Sequence, residues 1–351
     1  MRTLTRLLDR RTALLGVATL SLALTMTACG KADTGTSSDG ESGGSGDKPL
    51  SIVFLPKNLG NPYFDASDAG GKKAVEALGG TFSEVGPQTA SPDAQVQYIN
   101  TAAQQHASAI VLSANDPKAV GSALTQAKSS GTKIVTFDSD TEAQYRDLFV
   151  NQASPEGIAK AQVDGLAEQI GDSGEIAILS ASANATNQNA WIDLMKKDLQ
   201  ADHPDIKLVD TVYGNDDDQT SFDKTAALLK NHPNLKGIIS PTTVGIAAAA
   251  RYLSTSKSKG KVALTGLGTP NQMRKFVEDG TVTEFYLWNP TDLGTLAAYA
   301  AAALANGEIT GKEGDKFTAG DLGDYTVGAD NTVLLGDPTG FNKDNIGDFD
   351  F

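Results

Sequence analysis

The sequence predicts an α/β protein of two lobes, each a parallel sheet covered by helices, joined by a hinge of several crossing strands. Three observations predict it. From residue 50 onward, short apolar runs alternate with longer amphipathic segments, the pattern of strands buried on both faces and separated by crossover helices. Ten such runs occur by residue 288, more than one open sheet comfortably carries, so two sheets of five or six strands are expected. The regular series is also interrupted by polar residues at Asn151–Ser154 and at Trp288–Pro290, where the chain is expected to pass between lobes.

Taken in order, strands are expected at 50–55, 81–85, 108–113, 132–137 and 147–150, then at 174–180, 206–213, 236–240, 262–266 and 283–288. Helices are expected between them at 62–79, 91–106, 117–130, 154–171, 185–201, 218–232, 242–257, 270–279 and 292–306. Apolar residues recur at helical spacing within them, as in Val96, Ile99 and Ala103, or Trp191, Leu194, Met195 and Leu199. Capping residues agree: Asn61 before Pro62, Asp116 before Pro117, Ser154 before Pro155, and Gly131 after the third helix. The Gly- and Asp-rich remainder carries short strand pieces at 324–328 and 332–335 and is expected to cross between lobes a third time. The expected division is 50–152 plus 290–322 for the first lobe and 153–289 plus 323–351 for the second.

Residues before 50 have a different character. Arg2, Arg6, Arg10 and Arg11 form a basic leader, and Leu14–Thr25 is an apolar run short for a bilayer span. Small residues then precede Cys29, the chain's one cysteine, so no intrachain disulfide can form. This pattern resembles a bacterial lipoprotein signal, with residues 1–28 removed and Cys29 lipidated. Residues 29–49, rich in Gly, Ser, Thr and Asp, read as a flexible tether. The expected location is the outer face of the bacterial cytoplasmic membrane, held through the lipid; the paired Arg10 and Arg11 leave the export route open between general secretory and twin-arginine. The net charge of −14 becomes −14 − 3 = −17 without residues 1–28, which carry four Arg and one Asp. That balance, with no Lys/Arg cluster, argues against nucleic acid as a partner.

In open parallel sheets, ligands bind outside the carboxyl ends of the strands. Those ends carry Lys57, Asn61, Tyr63 and Phe64, then Ser113–Asp116, then Asp138 and Asp140, then Asn151 and Gln152. In the second half they carry Asn187, Gln188 and Asn189, then Ser240–Thr243, Gly266–Pro270 and Trp288–Pro290. Amides, carboxylates, one Lys, hydroxyls and aromatic rings suit a neutral polyhydroxylated ligand, and no metal or cofactor is implied. Each feature also has a plainer reading. Tyr63 and Phe64 serve equally as helix core. Asp116 serves as a cap, Trp191 as core, and Asp217 or Asp218 in the NDDDQ run as the cap of the next helix rather than a cation ligand. Asp138 and Asp140 read as hydroxyl ligands, as an acid–base pair, or as turn residues; binding is favoured for Asp138.

With these motifs in place, the chain resembles the type I periplasmic-binding-protein-fold sugar receptors of ABC importers, most of all the rhamnose-binding proteins. The resemblance rests on LPKNLGNPYFDASD (55–68), SANDP (113–117), FDSD (137–140), FVNQA (149–153), ATNQNAW (185–191) and YGNDDDQ (213–219). It continues through GIISPTTVGIAAAARYL (237–253), GLGTPNQMR (266–274) and LWNPTDLG (287–294), so it covers nearly everything from residue 50 onward. It implies two Rossmann-like lobes and a non-enzymatic, monomeric receptor that captures a monosaccharide, L-rhamnose above others, and delivers it to membrane permease subunits. It also implies a ligand-binding set: Lys57, Asn61, Tyr63, Phe64, Asp138, Asp140, Asn187, Gln188, Pro241, Thr243, Trp288 and Asn289. Lys57 is expected beside Asp138. Related receptors for the signal autoinducer-2 share the layout but carry an aspartate where this chain has Asn187, which favours a neutral sugar. Ribose receptors carry an aspartate in the loop where this chain has Gly268, which weighs against ribose.

Other functions remain as alternatives: a sensor presenting autoinducer-2 or a sugar-like signal to a signalling partner, and a glycoside hydrolase using the carboxylate pair. His106, His203 and His232 fall near expected helix ends, away from the strand-end cluster, and no catalytic triad is recognisable. A repressor of this fold is disfavoured because residues 1–48 read as leader and tether rather than a DNA-binding motif.

Overall fold

The computed structural model describes residues 49–351, and the expectations placed on residues 1–48, lipidation of Cys29 among them, lie outside the described residues. The chain runs β1 (Ser51–Leu55), α1 (Pro62–Ala77), β2 (Thr81–Glu84), α2 (Pro92–Gln104), β3 (Ala109–Leu112), α3 (Gly121–Ser129), β4 (Lys133–Phe137) and β5 (Leu148–Asn151). It continues with α4 (Pro155–Ile170), β6 (Gly174–Ser180), α5 (Thr186–Asp202), β7 (Ile206–Tyr213), α6 (Asp218–Asn231), β8 (Leu235–Ser240), α7 (Thr243–Thr255), β9 (Ala263–Gly266), α8 (Pro270–Glu278) and β10 (Glu284–Leu287). It ends with α9 (Pro290–Ala305), β11 (Lys316–Thr318), β12 (Asp324–Thr326), β13 (Thr332–Leu334) and β14 (Thr339–Asn342).

The first sheet has strand order β13-β5-β4-β3-β1-β2, parallel throughout. Its strands β1, β3 and β4 bury both faces, and the period of two is visible residue by residue. Ile52 and Phe54 join the large core under α1 and α9, whereas Val53 and Leu55 join a smaller core with α2 and α3. Ala109 and Val111 alternate with Ile110 and Leu112 in the same way. Helices α1 and α9 cross at backbone contact. A Cβ at Gly294 would lie 1.7 Å from the Ser67 carbonyl oxygen, and one at Gly70 would lie 2.0 Å from that of Thr291. The second sheet has order β7-β6-β8-β9, also parallel. A bridge between Leu267 and Tyr286 carries it on to β10, which pairs antiparallel with β14.

Two crossings fall at the polar interruptions, after β5 and after β10. The third differs from expectation. β13 pairs with β5 in the first sheet, Thr332 opposite Phe149, and only β14 joins the second lobe's strands. The segment 323–334 therefore stays with the first lobe, and the chain passes between Leu334 and Thr339. β11 and β12 form a hairpin beside α9. These strands of three residues are too short for alternation to mark their faces, so backbone pairing to an edge decides where they lie. The third helix also starts later than expected. Asp116 accepts from the Lys118 and Ala119 N–H groups at 2.8 and 2.9 Å and so holds a turn, and the helix begins only at Gly121. Among the described residues no helix is long and apolar enough to cross a membrane.

Candidate functional site

The loop after β1 is built to hold one cation. Gln95 of α2, fully buried, donates from Nε2 to the carbonyls of Pro56 at 3.1 Å and Ser113 at 2.8 Å, tying the exits of β1 and β3 together. Its Oε1 accepts from the Asn115 N–H at 3.0 Å, and Asn115 Nδ2 donates to the Lys57 carbonyl at 2.9 Å. Downstream, the Asn61 side chain accepts from the Tyr63 N–H at 3.1 Å and caps α1.

β4 ends in an unusual turn. Asp138 has φ +60°, in the left-handed region where Asp is tolerated, and the Ser139 N–H donates to the Phe137 carbonyl at 2.6 Å. The turn brings the Asp138 carboxylate to the Ser113 hydroxyl at 2.8 Å and to Lys57 Nζ at 3.6 Å. Both members of this pair are almost wholly buried, with side-chain exposures of 5% and 7%. Asn187, at the start of α5 in the second lobe, closes the group: its Nδ2 donates to Asp138 Oδ1 and its Oδ1 accepts from Lys57 Nζ, each at 3.4 Å. The expected neighbourhood of Lys57 and Asp138 is thus observed, with an amide of the other lobe completing it.

Aromatic rings form the adjoining wall. Trp288 Nε1 donates to the Tyr63 hydroxyl at 2.9 Å, and the two rings meet edge-on at 6.1 Å. Burial, and then the neighbouring Asp138 carboxylate, push the Tyr63 phenol well up, so it stays protonated. Trp191 stands 6.1 Å from Trp288 on the other side. Tyr63, Phe64 and Trp191 belong to the core and also face the cavity, so the choice between core and pocket is not exclusive.

These groups converge on one cavity with about 350 Å³ of space between atoms, mouth included. Ten of the twelve expected binding residues line it: Lys57, Asn61, Tyr63, Phe64, Asp138, Asn187, Gln188, Pro241, Thr243 and Trp288. Two do not. Asp140 binds Arg146 Nε through both oxygens at 2.8 and 2.9 Å, and Arg146 Nη1 donates to the carbonyls of Asp330 and Asn331. Burial raises the Asp140 carboxyl, opposed by the Arg146 charge. The pair anchors the segment leading into β13 rather than meeting a ligand. Asn289 accepts from the Thr291 N–H at 3.0 Å and caps α9. The resemblance implies both as binding residues, and the structure commits both side chains to local partners.

The structure adds Trp191, Asp216, Thr242, Leu267 and Leu287 to the lining. Asp216 is the important addition. Within NDDDQ, Asp217 caps α6 as expected, accepting from the Thr220 N–H at 2.7 Å. Asn215 and Asp216 both take left-handed φ, 56° and 50°, which turns Asp216 back over the strand ends, where the Thr242 hydroxyl donates to it. Burial raises its carboxyl while the Lys57 charge lowers it. The sequence signal was an acidic run longer than one cap requires, opened by an Asn-Asp pair suited to left-handed backbone. None of His106, His203 and His232 lines the cavity, and among the described residues no group of three His, Cys, Asp or Glu could hold a metal ion.

Over residues 52–309 the sequence matches the family described as periplasmic binding protein domain. A solved sugar ABC transporter structure from Actinomyces odontolyticus is 53% identical, covering 86% of this chain and 98% of that one at TM-score 0.70. An ABC transporter solute binding protein from Clostridium phytofermentas with bound L-rhamnose is 40% identical, covering 86% and 98% at TM-score 0.83. LsrB from Clostridium saccharobutylicum in complex with AI-2 is 27% identical, covering 86% and 100% at TM-score 0.81.

Proposed function

We propose, for a chain that belongs to the periplasmic binding protein domain family, that it is a sugar-binding receptor of an ABC importer and that its sugar is L-rhamnose. The observation that carries the reading is the Lys57–Asp138–Asn187 group, in which a buried ion pair of one lobe is completed by an amide of the other beside a wall of aromatic rings. Sugar hydroxyls donate to Asp138 and Asp216 and accept from Lys57, while Tyr63, Phe64 and Trp288 cover the apolar ring face and the 6-methyl group. A few hydrogen bonds to charged groups, each contributing about 1.5–3 kcal/mol before ordering costs, suffice for micromolar binding, about −8 kcal/mol. The rhamnose-bound relative at 40% identity supports the choice of sugar.

Titration calorimetry checks it. L-Rhamnose is expected to bind with micromolar or tighter affinity and D-ribose at least tenfold more weakly; equal affinities sink the rhamnose assignment. A second reading, autoinducer-2 reception, is supported by the likeness to the AI-2 complex. Asn187 favours sugar over signal, and autoinducer-2 displacing bound rhamnose at equimolar concentration would reverse that order.

The receptor works as a monomer held by a lipid on Cys29 at the outer face of the membrane, handing sugar to the permease. Cells expressing the full chain are expected to incorporate labelled palmitate into it, and Cys29→Ala to abolish both the label and membrane retention. Label retained in Cys29→Ala contradicts the anchor.

A further inference from the structure

Thr186 opens α5 one residue before Asn187, yet it does not line the cavity. Its hydroxyl instead crosses between the lobes and donates to the Asp140 backbone carbonyl at 3.4 Å. That acceptor is fixed from behind. The Asp140 carboxylate accepts from Arg146 Nε through both oxygens at 2.8 and 2.9 Å, and the Arg146 side chain is only 4% exposed. Arg146 Nη1 reaches on to the carbonyls of Asp330 and Asn331 at 3.0 and 3.3 Å. Those two residues carry left-handed φ, 52° and 53°, immediately before β13. One guanidinium therefore joins the turn that presents Asp138 to Lys57 with the backbone leading into the third crossing.

Opening the lobes about the crossings separates Thr186 from Asp140, because one belongs to the second lobe and the other to the first. A contact made only on closing favours the closed form. Holding a carboxylate and two carbonyls at once needs the planar fork of an arginine, and a lysine ammonium supplies the charge without that geometry. The geometry points to a closure latch: Thr186 docks on an Asp140 carbonyl that Arg146 holds in place, and the three prolong the stay of a bound sugar without touching it. They are positioning residues, set outside the cavity and acting through the closed form.

This inference rests on the sugar reading of the cavity, and the test separates the two. The chain's two tryptophans, Trp191 and Trp288, both line the cavity, so their fluorescence reports binding in stopped flow. L-Rhamnose, D-ribose and D-arabinose are mixed with the wild type. Whichever binds is then run against Thr186→Val, Thr186→Ser, Arg146→Lys and the Thr186→Val, Arg146→Lys double variant. Sugar dissociation is expected to quicken about threefold to tenfold in Thr186→Val and in Arg146→Lys, with association within about twofold of wild type. Thr186→Ser keeps the hydroxyl and is expected to dissociate at the wild-type rate. The double variant is expected to dissociate at about the rate of the faster single variant, because both changes undo one contact. Where Arg146→Lys does not fold, the two Thr186 variants decide the outcome. Wild-type dissociation in Thr186→Val or in a folded Arg146→Lys, or a Thr186→Ser as fast as Thr186→Val, overturns the latch and leaves the sugar reading standing. Fully multiplicative effects in the double variant do the same. If none of the three sugars binds the wild type, both readings fall.

Discussion

Asp138→Ala is expected to weaken sugar binding at least a hundredfold, about 2.7 kcal/mol, and to destabilise the sugar-free protein by about 3–5 kcal/mol. The two effects have one cause. Lys57 Nζ is buried with Asp138 at 3.6 Å, and removing the carboxylate leaves an ammonium whose one hydrogen-bond acceptor among the described residues is the Asn187 amide oxygen at 3.4 Å. The Ser113 hydroxyl loses its acceptor at the same time, and Asn187 loses its partner across the lobes. Asp138→Asn keeps the shape and the left-handed turn but not the charge, so it is expected to fold better than Asp138→Ala and still bind poorly. Calorimetric titration and urea unfolding measure the two quantities separately. Affinity within threefold of wild type in both variants would remove Asp138 from the binding site.

Trp288→Ala is the second large effect, expected to cost about 3–5 kcal/mol of stability and most of the sugar affinity. Trp288 is 3% exposed and sits at the second crossing. It touches Tyr63 of the first lobe and Trp191 of the second, so truncation opens a void where the lobes meet. Trp288→Phe separates packing from hydrogen bonding: it retains a ring but leaves the Tyr63 hydroxyl without its donor, for about 1 kcal/mol. Thermal unfolding with and without sugar distinguishes the contributions. A Trp288→Ala protein with wild-type stability and affinity would mean that the ring only fills space that its neighbours can reclaim.

The α/β architecture was legible because its signals are local. Ile52 to Leu55 are apolar on consecutive positions since α1 and α9 cover one face of β1 and α2 and α3 the other. Asn61–Pro62 and Ser154–Pro155 mark helix starts because orphan amides at a helix end need an acceptor close in sequence. Most of the candidate site was legible for a related reason. Parallel strands deliver their carboxyl ends to one edge, which is why Lys57, Asp138, Asn187 and Pro241, from four places in the chain, line one cavity.

What stayed hidden depends on contacts between distant residues. Asp138 and Asp140 are indistinguishable as neighbours in FDSD, yet a left-handed turn sends one to Lys57 and leaves the other to Arg146. In sequence Asp216 reads as part of a capping run, and two left-handed residues return it to the cleft. β13 carries too few residues to declare its sheet, and pairing with the edge at β5 settles its lobe. The residue sequence determined that there are parallel layers covered by helices, where their helices begin, and which strand ends carry polar groups, since periodicity and caps act over a few residues. Tertiary packing alone decided which of those polar groups face one another, because each bond made across the chain removes a side chain from the site or commits it there.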